Sequence, residues 1–385
     1  MSAQLSVTID LNALAANWRV LSERLGTTTC GAVVKANAYG LGIAPVALKL
    51  VAQGCTVFFV AHLNEGIELR TLLKAVNDIP PPIIYVLQGC EAGCEWLFVE
   101  HNLRPVIISL PMLLRWQGSV HGDHWPCAVK VNTGMNRLGL AYQEYADSLV
   151  RHAQWWRQVP VMLMSHLACA DDPCHKLNLR QQMLFEQCVT SLKHLNPSAL
   201  ASFANSGGIF LGSDYHFDIA RPGAALYGLN PVPGQRNRMQ PVVHWGLPVL
   251  QVRHASKGEY VGYGAQTQLA RDSVLAVAAG GYADGILRAA FPNIIASICG
   301  ITVPLMGRVS MDSLVFDVTE VDAVAEGDEI TILNQQITAD LQGAAYHTVG
   351  YEVLTSMGDR VCRRYKGAVN NMHTVNRAEG ARNGK

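Results

Sequence analysis

The chain has 385 residues, of which 49% are hydrophobic, and a formal net charge of zero from 30 basic and 30 acidic side chains. That length exceeds what one typical core organises and predicts two domains. The charges form no block of like sign, which gives no electrostatic basis for binding nucleic acid or an anionic membrane, and no apolar stretch is long enough to span a bilayer.

Residues 5–9 alternate like a strand. Asp10 is placed to cap a helix carrying Leu11, Leu14, Ala15, Trp18, Leu21 and Leu25 at helical spacing, with Gly26 as its stop. Eight short apolar runs then read as buried strands, near 30–34, 56–60, 83–87, 105–109, 128–131, 161–165, 201–204 and 218–221. Helical patterns fall between most of them, for example over 64–75 and 179–195. Such alternation fits a parallel (β/α)8 barrel. A doubly wound sheet would leave a similar string, although no G-x-G-x-x-G follows the first run and no P-loop is present.

After Pro231-Val-Pro-Gly234 the texture changes to short strand-like runs near 250–254, 274–278, 294–298, 314–318 and 329–333, with helical pattern only near the end. The expected division is a barrel over 10–234 and a mostly β domain over 235–385, joined by the strand at 5–9. The tail after Asn370 is polar and expected to be loosely held. The N-terminus has neither a basic start nor an apolar signal core, so a soluble cytoplasmic protein is expected. Without a secretory signal, most of the 10 cysteines are expected to be small buried hydrophobes rather than disulfides. His121-Gly-Asp-His124 sits in a polar loop without further ligands, and no metal centre is expected there.

Polar residues recur at the C-terminal ends of the barrel runs. Lys35 ends the first, Lys130 lies in the fifth, His166 ends the sixth, Asn205-Ser206 the seventh and Arg221 the eighth. Barrel enzymes build their active sites on that face. Lysine is seldom buried without a partner, and a strand end holds a reactive amine rigidly; a lysine snorkelling out of its strand is the plainer alternative. Ser206-Gly-Gly and Arg221-Pro-Gly-Ala follow the last two runs, where barrels often bind phosphate, although ordinary strand-to-helix turns would look the same.

Several segments together resemble the alanine racemases, a fold-type III family of pyridoxal 5'-phosphate (PLP) enzymes. They are Val33-Val-Lys-Ala-Asn-Ala-Tyr-Gly-Leu-Gly42, Lys130-Val-Asn-Thr-Gly-Met-Asn-Arg137, Asn205-Ser-Gly207 and Arg221-Pro-Gly-Ala-Ala-Leu-Tyr-Gly228. Val261-Gly-Tyr-Gly-Ala265, Gly281-Tyr-Ala-Asp-Gly285, Gly307-Arg-Val-Ser-Met-Asp312 and Gly350-Tyr-Glu-Val353 continue the series. The resemblance runs in the expected order from Asp10 to about Tyr365.

It implies a barrel with a C-terminal β domain, PLP as cofactor, and a homodimer whose sites are shared between chains. Lys35 would bind PLP covalently and act as the base on one face of the substrate Cα, and Tyr263 of the other chain on the opposite face. Tyr39, Ser206, Gly223, Ala224 and Tyr351 would hold the phosphate, with Asn205 beside them. Arg221 would face the ring nitrogen as a pure donor and, with His166, lower the Tyr263 hydroxyl from its usual value near 10. Arg137 would grip the substrate carboxylate, helped by Met311 and Asp312 of the other chain, and Tyr282 would narrow the entrance. Several family members carbamylate the lysine equivalent to Lys130.

The sequence departs from the family at Asn132, where Asp is common, at Asn136 (Gly), at Leu41 (His) and at Gly207-Gly208 (alanine). The implied reaction is interconversion of L- and D-alanine, for peptidoglycan or for alanine catabolism. A racemase of broader range, for serine or basic amino acids, remains an alternative. So does a PLP-homeostasis protein, although that group lacks the C-terminal domain. Arg221 speaks against a decarboxylase, which would want an acidic partner for the ring nitrogen.

Overall fold

The computed structural model describes residues 5–74, 80–119, 121–122 and 124–369. The expected loose tail after Asn370, the end of the 64–75 helix and Asp123 of the histidine pair's loop lie outside these residues.

Strand β1 (Ser6–Asp10) leads into the helix Leu11–Leu25. Asp10 caps it as expected, its carboxylate accepting from the N–H groups of Asn12 and Ala13 at 2.9 and 3.1 Å. The first apolar run divides into β2 (Thr29–Cys30) and β3 (Ala32–Val33). Gly31 separates them because a Cβ there would lie 2.9 Å from the Phe59 ring and 3.1 Å from the Ala220 carbonyl. Then follow β4 (Val57–Val60), β5 (Ile83–Val86), β6 (Arg104–Ile107), β7 (Cys127–Lys130), β8 (Val161–Met164), β9 (Leu200–Ser202) and β10 (Ile219–Ala220).

Strands β3 to β9 form one parallel sheet in sequence order. Strand β10 pairs in parallel with β2, and the N–H groups of Asp218 and Arg221 donate to the carbonyls of Ala201 and Ala204 beside β9. All eight expected runs therefore lie around one curled sheet. Every residue of β4, β7 and β8 is buried, which is why these runs are almost purely apolar.

The second sheet is built on β11 (Val243–Ala255), far longer than the five residues expected near 250–254 because it serves three partners. It pairs antiparallel with β1, β14 (Ser273–Ala279) and β18 (Glu329–Leu333), shifting register at two points along its length. Between β11 and β14 lies the hairpin β12 (Tyr260–Val261) and β13 (Thr267–Gln268). Strands β15 (Ser297–Ile298), β16 (Ile301–Thr302) and β17 (Ser313–Asp317) complete the sheet with β19 (Cys362–Lys366), which pairs in parallel with β1. The run expected at 294–298 narrows to two strand residues. Late helices occur at Ala339–Ala345 and Gly350–Thr355.

Apolar packing continues from one unit into the other through Leu14, Leu226, Val243 and Leu354. Cys30, Cys55, Cys90, Cys127 and Cys188 are buried and free, but Cys174 and Cys299 are exposed, Cys299 in the tight turn between β15 and β16 rather than inside an apolar run. No helix among the described residues is long and apolar enough to cross a membrane.

Candidate active site

Lys35 follows β3 and opens a turn of unusual hand. Ala36, Asn37 and Ala38 have φ of 52, 52 and 53° with ψ near 50°, and Tyr39 has φ of 57°. Consecutive left-handed residues other than glycine cost about 1–2 kcal/mol each, so the turn needs external support. The Ala38 N–H donates to the Val34 carbonyl at 2.9 Å, the Gly42 N–H to the Asn37 carbonyl at 2.9 Å, and the Ile43 N–H to the Asn37 side chain at 2.7 Å. The Ala36 N–H donates to Glu65 Oε1 at 2.7 Å. The turn leaves Lys35 half-buried and Tyr39 buried.

Around Lys35 the barrel end gathers cations. Burial, with Arg137 adding repulsion, lowers the Lys35 ammonium from its usual value, while Glu65 acts in the opposite direction. Burial and the charges of Arg221, Arg137 and Lys35 bring Lys130 down to about 8. His166 is held well below the ordinary imidazole range by burial and the same four cations, so it is neutral. Arg221, 4% exposed, is lowered by burial to about 9 and remains a cation at neutral pH. Its guanidinium donates to Ser202 Oγ at 2.6 Å, the Ser165 carbonyl at 2.6 Å and the Phe203 carbonyl at 3.4 Å, and lies 3.2 Å from His166 Nδ1. Guanidinium can only donate, so His166 Nδ1 accepts and its proton sits on Nε2.

Behind these groups lies a polar network the sequence reading missed. Gln181 accepts from the Ala168 N–H and donates to the His166 carbonyl and to Thr133 Oγ1, at 2.9, 2.9 and 3.1 Å. Thr133 meets Ser165 Oγ at 2.8 Å, and Ser165 donates to the Val131 carbonyl at 2.7 Å. The signal for Gln181 was a polar residue on the buried face of the helix Lys176–Leu195, one turn before Phe185.

Arg137 is exposed at the mouth, and its loop explains two departures together. Asn132 Oδ1 accepts from the N–H groups of Gly134 and Asn136 at 3.1 and 3.0 Å, and its amide donates to Asn136 Oδ1 at 2.8 Å. Asn136 has φ of 55°, a conformation asparagine tolerates better than most residues. An aspartate at 132 would supply the same acceptor but not the bond to Asn136. At Gly207 a Cβ would lie 2.7 Å from the Ala170 carbonyl, so the backbone of the loop after β8 occupies the space an alanine would need.

Beside Lys35 a cradle forms from the loops after β9 and β10. Buried Ser206 accepts from the N–H groups of Gly223 and Ala225 at 3.0 and 3.2 Å, and Asn205 Oδ1 accepts from the Gly208 N–H at 2.9 Å. Ala224 opens the short 3-10 turn that follows. A Cβ on Gly223 would lie 2.4 Å from the Tyr39 hydroxyl, so that hydroxyl fills the missing side chain's place. Tyr39 also packs on Tyr227 and Tyr351, with ring centroids 4.6 and 6.2 Å apart.

The remaining candidates cluster on the other unit. Gly281 runs so close to the Ser310 and Met311 carbonyls that a Cβ would lie 2.3 Å from each, and the N–H groups of Tyr282 and Ala283 donate to them. Arg360 bridges buried Asp284 and Asp312, at 3.0 and 2.8 Å. Tyr282, Met311 and Tyr263 are exposed, Tyr263 at 71%. Among the described residues, no hydrogen bond or ion pair joins Tyr263, Tyr282, Met311 or Asp312 to the cationic group of the barrel.

Comparison with known proteins decides the family. The N-terminal domain model of alanine racemases matches residues 9–231 and their C-terminal domain model residues 242–365. The chain belongs to the alanine racemase family. It is 43% identical to the alanine racemase of Rhizobium meliloti across 95% of this chain and 98% of that one. It is 44% identical to the catabolic alanine racemase of Mesorhizobium japonicum, over 94% and 93% of the two chains, and 40% identical to the biosynthetic one of Agrobacterium fabrum, over 94% of each. The solved alanine racemase of Bartonella henselae, with covalently bound pyridoxal phosphate, superposes with a TM-score of 0.88 at 34% identity, over 94% of this chain and 100% of that one.

The residues present fit the family's cofactor. PLP brings an anionic phosphate ester and an aldehyde that condenses with an amine. The barrel end offers a half-buried lysine with a lowered ammonium, a hydroxyl and backbone cradle, and four neighbours that are cationic or neutral.

Proposed function

We infer that this chain interconverts L- and D-alanine with PLP as cofactor. The observation that carries this is the grouping of Lys35 with Lys130, Arg137, His166 and Arg221 on the strand ends and loops at one end of a barrel matched along its length by the family. When bound, PLP supplies a conjugated ring that takes up the electron pair left when the substrate Cα loses its proton.

The chain's own residues do the rest. Burial and Arg137 lower the Lys35 ammonium and so favour its neutral amine, and Nζ would serve as the base on one face. Arg221 only donates and stays charged, so facing the ring nitrogen it would disfavour protonation there. That would limit electron withdrawal by the ring and favour proton return over loss of carboxylate. Arg137 would bind the substrate carboxylate, and Tyr39, Asn205, Ser206, Gly223, Ala224 and Tyr351 would hold the phosphate. His166 keeps its proton on Nε2 and offers it toward the second base.

We assign that second base to Tyr263 of a partner chain in a homodimer, with Met311, Asp312 and Tyr282 beside it. The exposure of Tyr263, Tyr282 and Met311 in the single chain supports this assignment. We divide the chain into a barrel at 10–234 and a β domain from 235 onward, and place Lys130 as a candidate for carbamylation. Burial and the neighbouring cations bring its value down to about 8, which favours the neutral, reactive amine.

The test is proton NMR of the PLP-loaded protein in D2O with L-alanine, L-serine, L-lysine and L-glutamate offered separately, followed by chiral analysis. Loss of the alanine Cα proton with appearance of D-alanine is expected. Exchange confined to another amino acid would move the assignment to that substrate. Mixing the inactive variants Lys35→Ala and Tyr263→Ala tests the shared site. Mixed dimers regain one intact site, so no recovery after demonstrated subunit exchange would refute it.

A further inference from the structure

Among the described residues, Glu65 is the one carboxylate acting on Lys35, and it does two things at once. Its Oε2 accepts from the N–H groups of Ala61 and His62 at 2.6 and 3.1 Å, the second being the return half of a capping box for the helix Leu63–Lys74. A helix cap explains that oxygen. It does not explain Oε1, which reaches across to the Ala36 N–H at 2.7 Å, the first amide after Lys35. Ala36 begins the left-handed turn, so this bond sits where the chain leaves β3 and reverses hand.

We propose that Glu65 is the positioning residue for Lys35, one oxygen fixing the first amide of the left-handed turn and the other the neighbouring end of β4. The turn aims Lys35 at one end and carries Tyr39 into the Gly223 cradle at the other, so one carboxylate sets both. The proposal rests on the reading of Lys35 as the lysine that takes PLP. The charged and titratable groups facing Lys35 are Lys130 at the end of β7, Arg137 and His166 from the loops after β7 and β8, and Glu65 from the helix after β4. Glu65 alone among them is an anion.

The experiment strips PLP from the full chain and follows its reattachment by visible absorbance across a pH series. Borohydride trapping and peptide mapping locate the label. In the wild type the label falls on Lys35; label elsewhere or none overturns the functional reading and this inference with it. Glu65→Gln is expected to move the midpoint of reattachment down by about one pH unit, the loss of a nearby opposite charge. It should also slow the plateau rate, where the amine is neutral in both proteins, by about tenfold through misplacement. Glu65→Asp keeps the charge but not the reach, so its midpoint stays and its plateau rate falls.

If Glu65→Gln lowers only the unfolding temperature, Glu65 is a helix cap and the proposal is overturned. A shifted midpoint with an unchanged plateau rate also overturns it, because charge without positioning is then all Glu65 supplies. Should Glu65→Gln fail to fold, His62→Ser/Glu65→Gln provides a serine cap for the helix and carries the same measurement.

Discussion

Gln181→Leu tests whether the buried network behind the site carries stability as well as alignment. Gln181 is fully buried, and its amide makes three bonds, to the Ala168 N–H, the His166 carbonyl and Thr133 Oγ1. Leucine of similar size removes all three and strands a backbone donor and a backbone acceptor where the network excludes water. At about 1 kcal/mol net for each bond, and somewhat more for each stranded group, the loss is roughly 3–5 kcal/mol. Leucine's own burial returns about 1–2 kcal/mol, leaving a net destabilisation of roughly 1–4 kcal/mol. Urea unfolding of the cofactor-free chain reads this as a lower midpoint at unchanged slope. Thr133 begins the loop that carries Arg137, so KM for alanine should rise more than kcat falls. A midpoint shift worth under about 1 kcal/mol, with KM unchanged, would show that Gln181 is replaceable filler and that the network does not position the loop.

His166 gives a pH prediction. Its folded value lies well below 6.5, so below that pH the unfolded chain takes up a proton that the folded chain refuses. Its contribution is therefore complete above about pH 6.5 and lost as pH falls, at up to about 1.4 kcal/mol per unit; urea midpoints across that range should fall less steeply in His166→Asn. Gly223→Ala places a methyl 2.4 Å from the Tyr39 hydroxyl and should weaken PLP binding by about tenfold or more in a spectrophotometric titration. Adding Tyr39→Phe should recover part of that loss, and no recovery would show that the hydroxyl is not what the methyl meets. For Lys130, NMR with isotopically labelled bicarbonate should reveal a carbamate signal that Lys130→Ala abolishes; its absence in the wild type would end the carbamylation proposal.

The eight barrel strands were legible because buried parallel strands leave unbroken apolar runs, and Lys35, His166 and Arg221 stood out as polar interruptions at their ends. The length of β11 was not legible. Gly246 and Pro248 interrupt its buried half and its register breaks twice, so only the alternating stretch at 250–254 resembled a strand. The left-handed turn was hidden because Ala36-Asn-Ala38 has no glycine to announce positive φ. Glu65 read as one more charge on a helix, since its decisive bond crosses from that helix to a loop 29 residues earlier. Not every cysteine is buried as expected of most of them: Cys299 has apolar neighbours in sequence, but a two-residue hairpin turn exposes it.

The same features that make the site reactive make it unfavourable before its ligands arrive. Lys35, Lys130, Arg137 and Arg221 repel one another, and each of the two lysines is held below its usual value by that repulsion and by burial. The left-handed turn adds backbone strain beside them. Neither cost could be borne on a loose loop. Here the strained turn is carried by β3 beside β4, whose own residues are wholly buried, which is the arrangement expected when a rigid scaffold compensates for a strained functional segment. An anionic phosphate and a substrate carboxylate supply the charges the protein itself withholds, so binding relieves the repulsion and stabilises the fold in the same step. Placing a second carboxylate next to Lys35 or Lys130 would steady the empty chain, but it would also raise both ammonium groups toward their usual values. The amine would then stay protonated at the pH where it must act as a base. One anion, Glu65, set at the backbone of the turn rather than opposite the amine, holds the geometry at the smallest expense of that basicity.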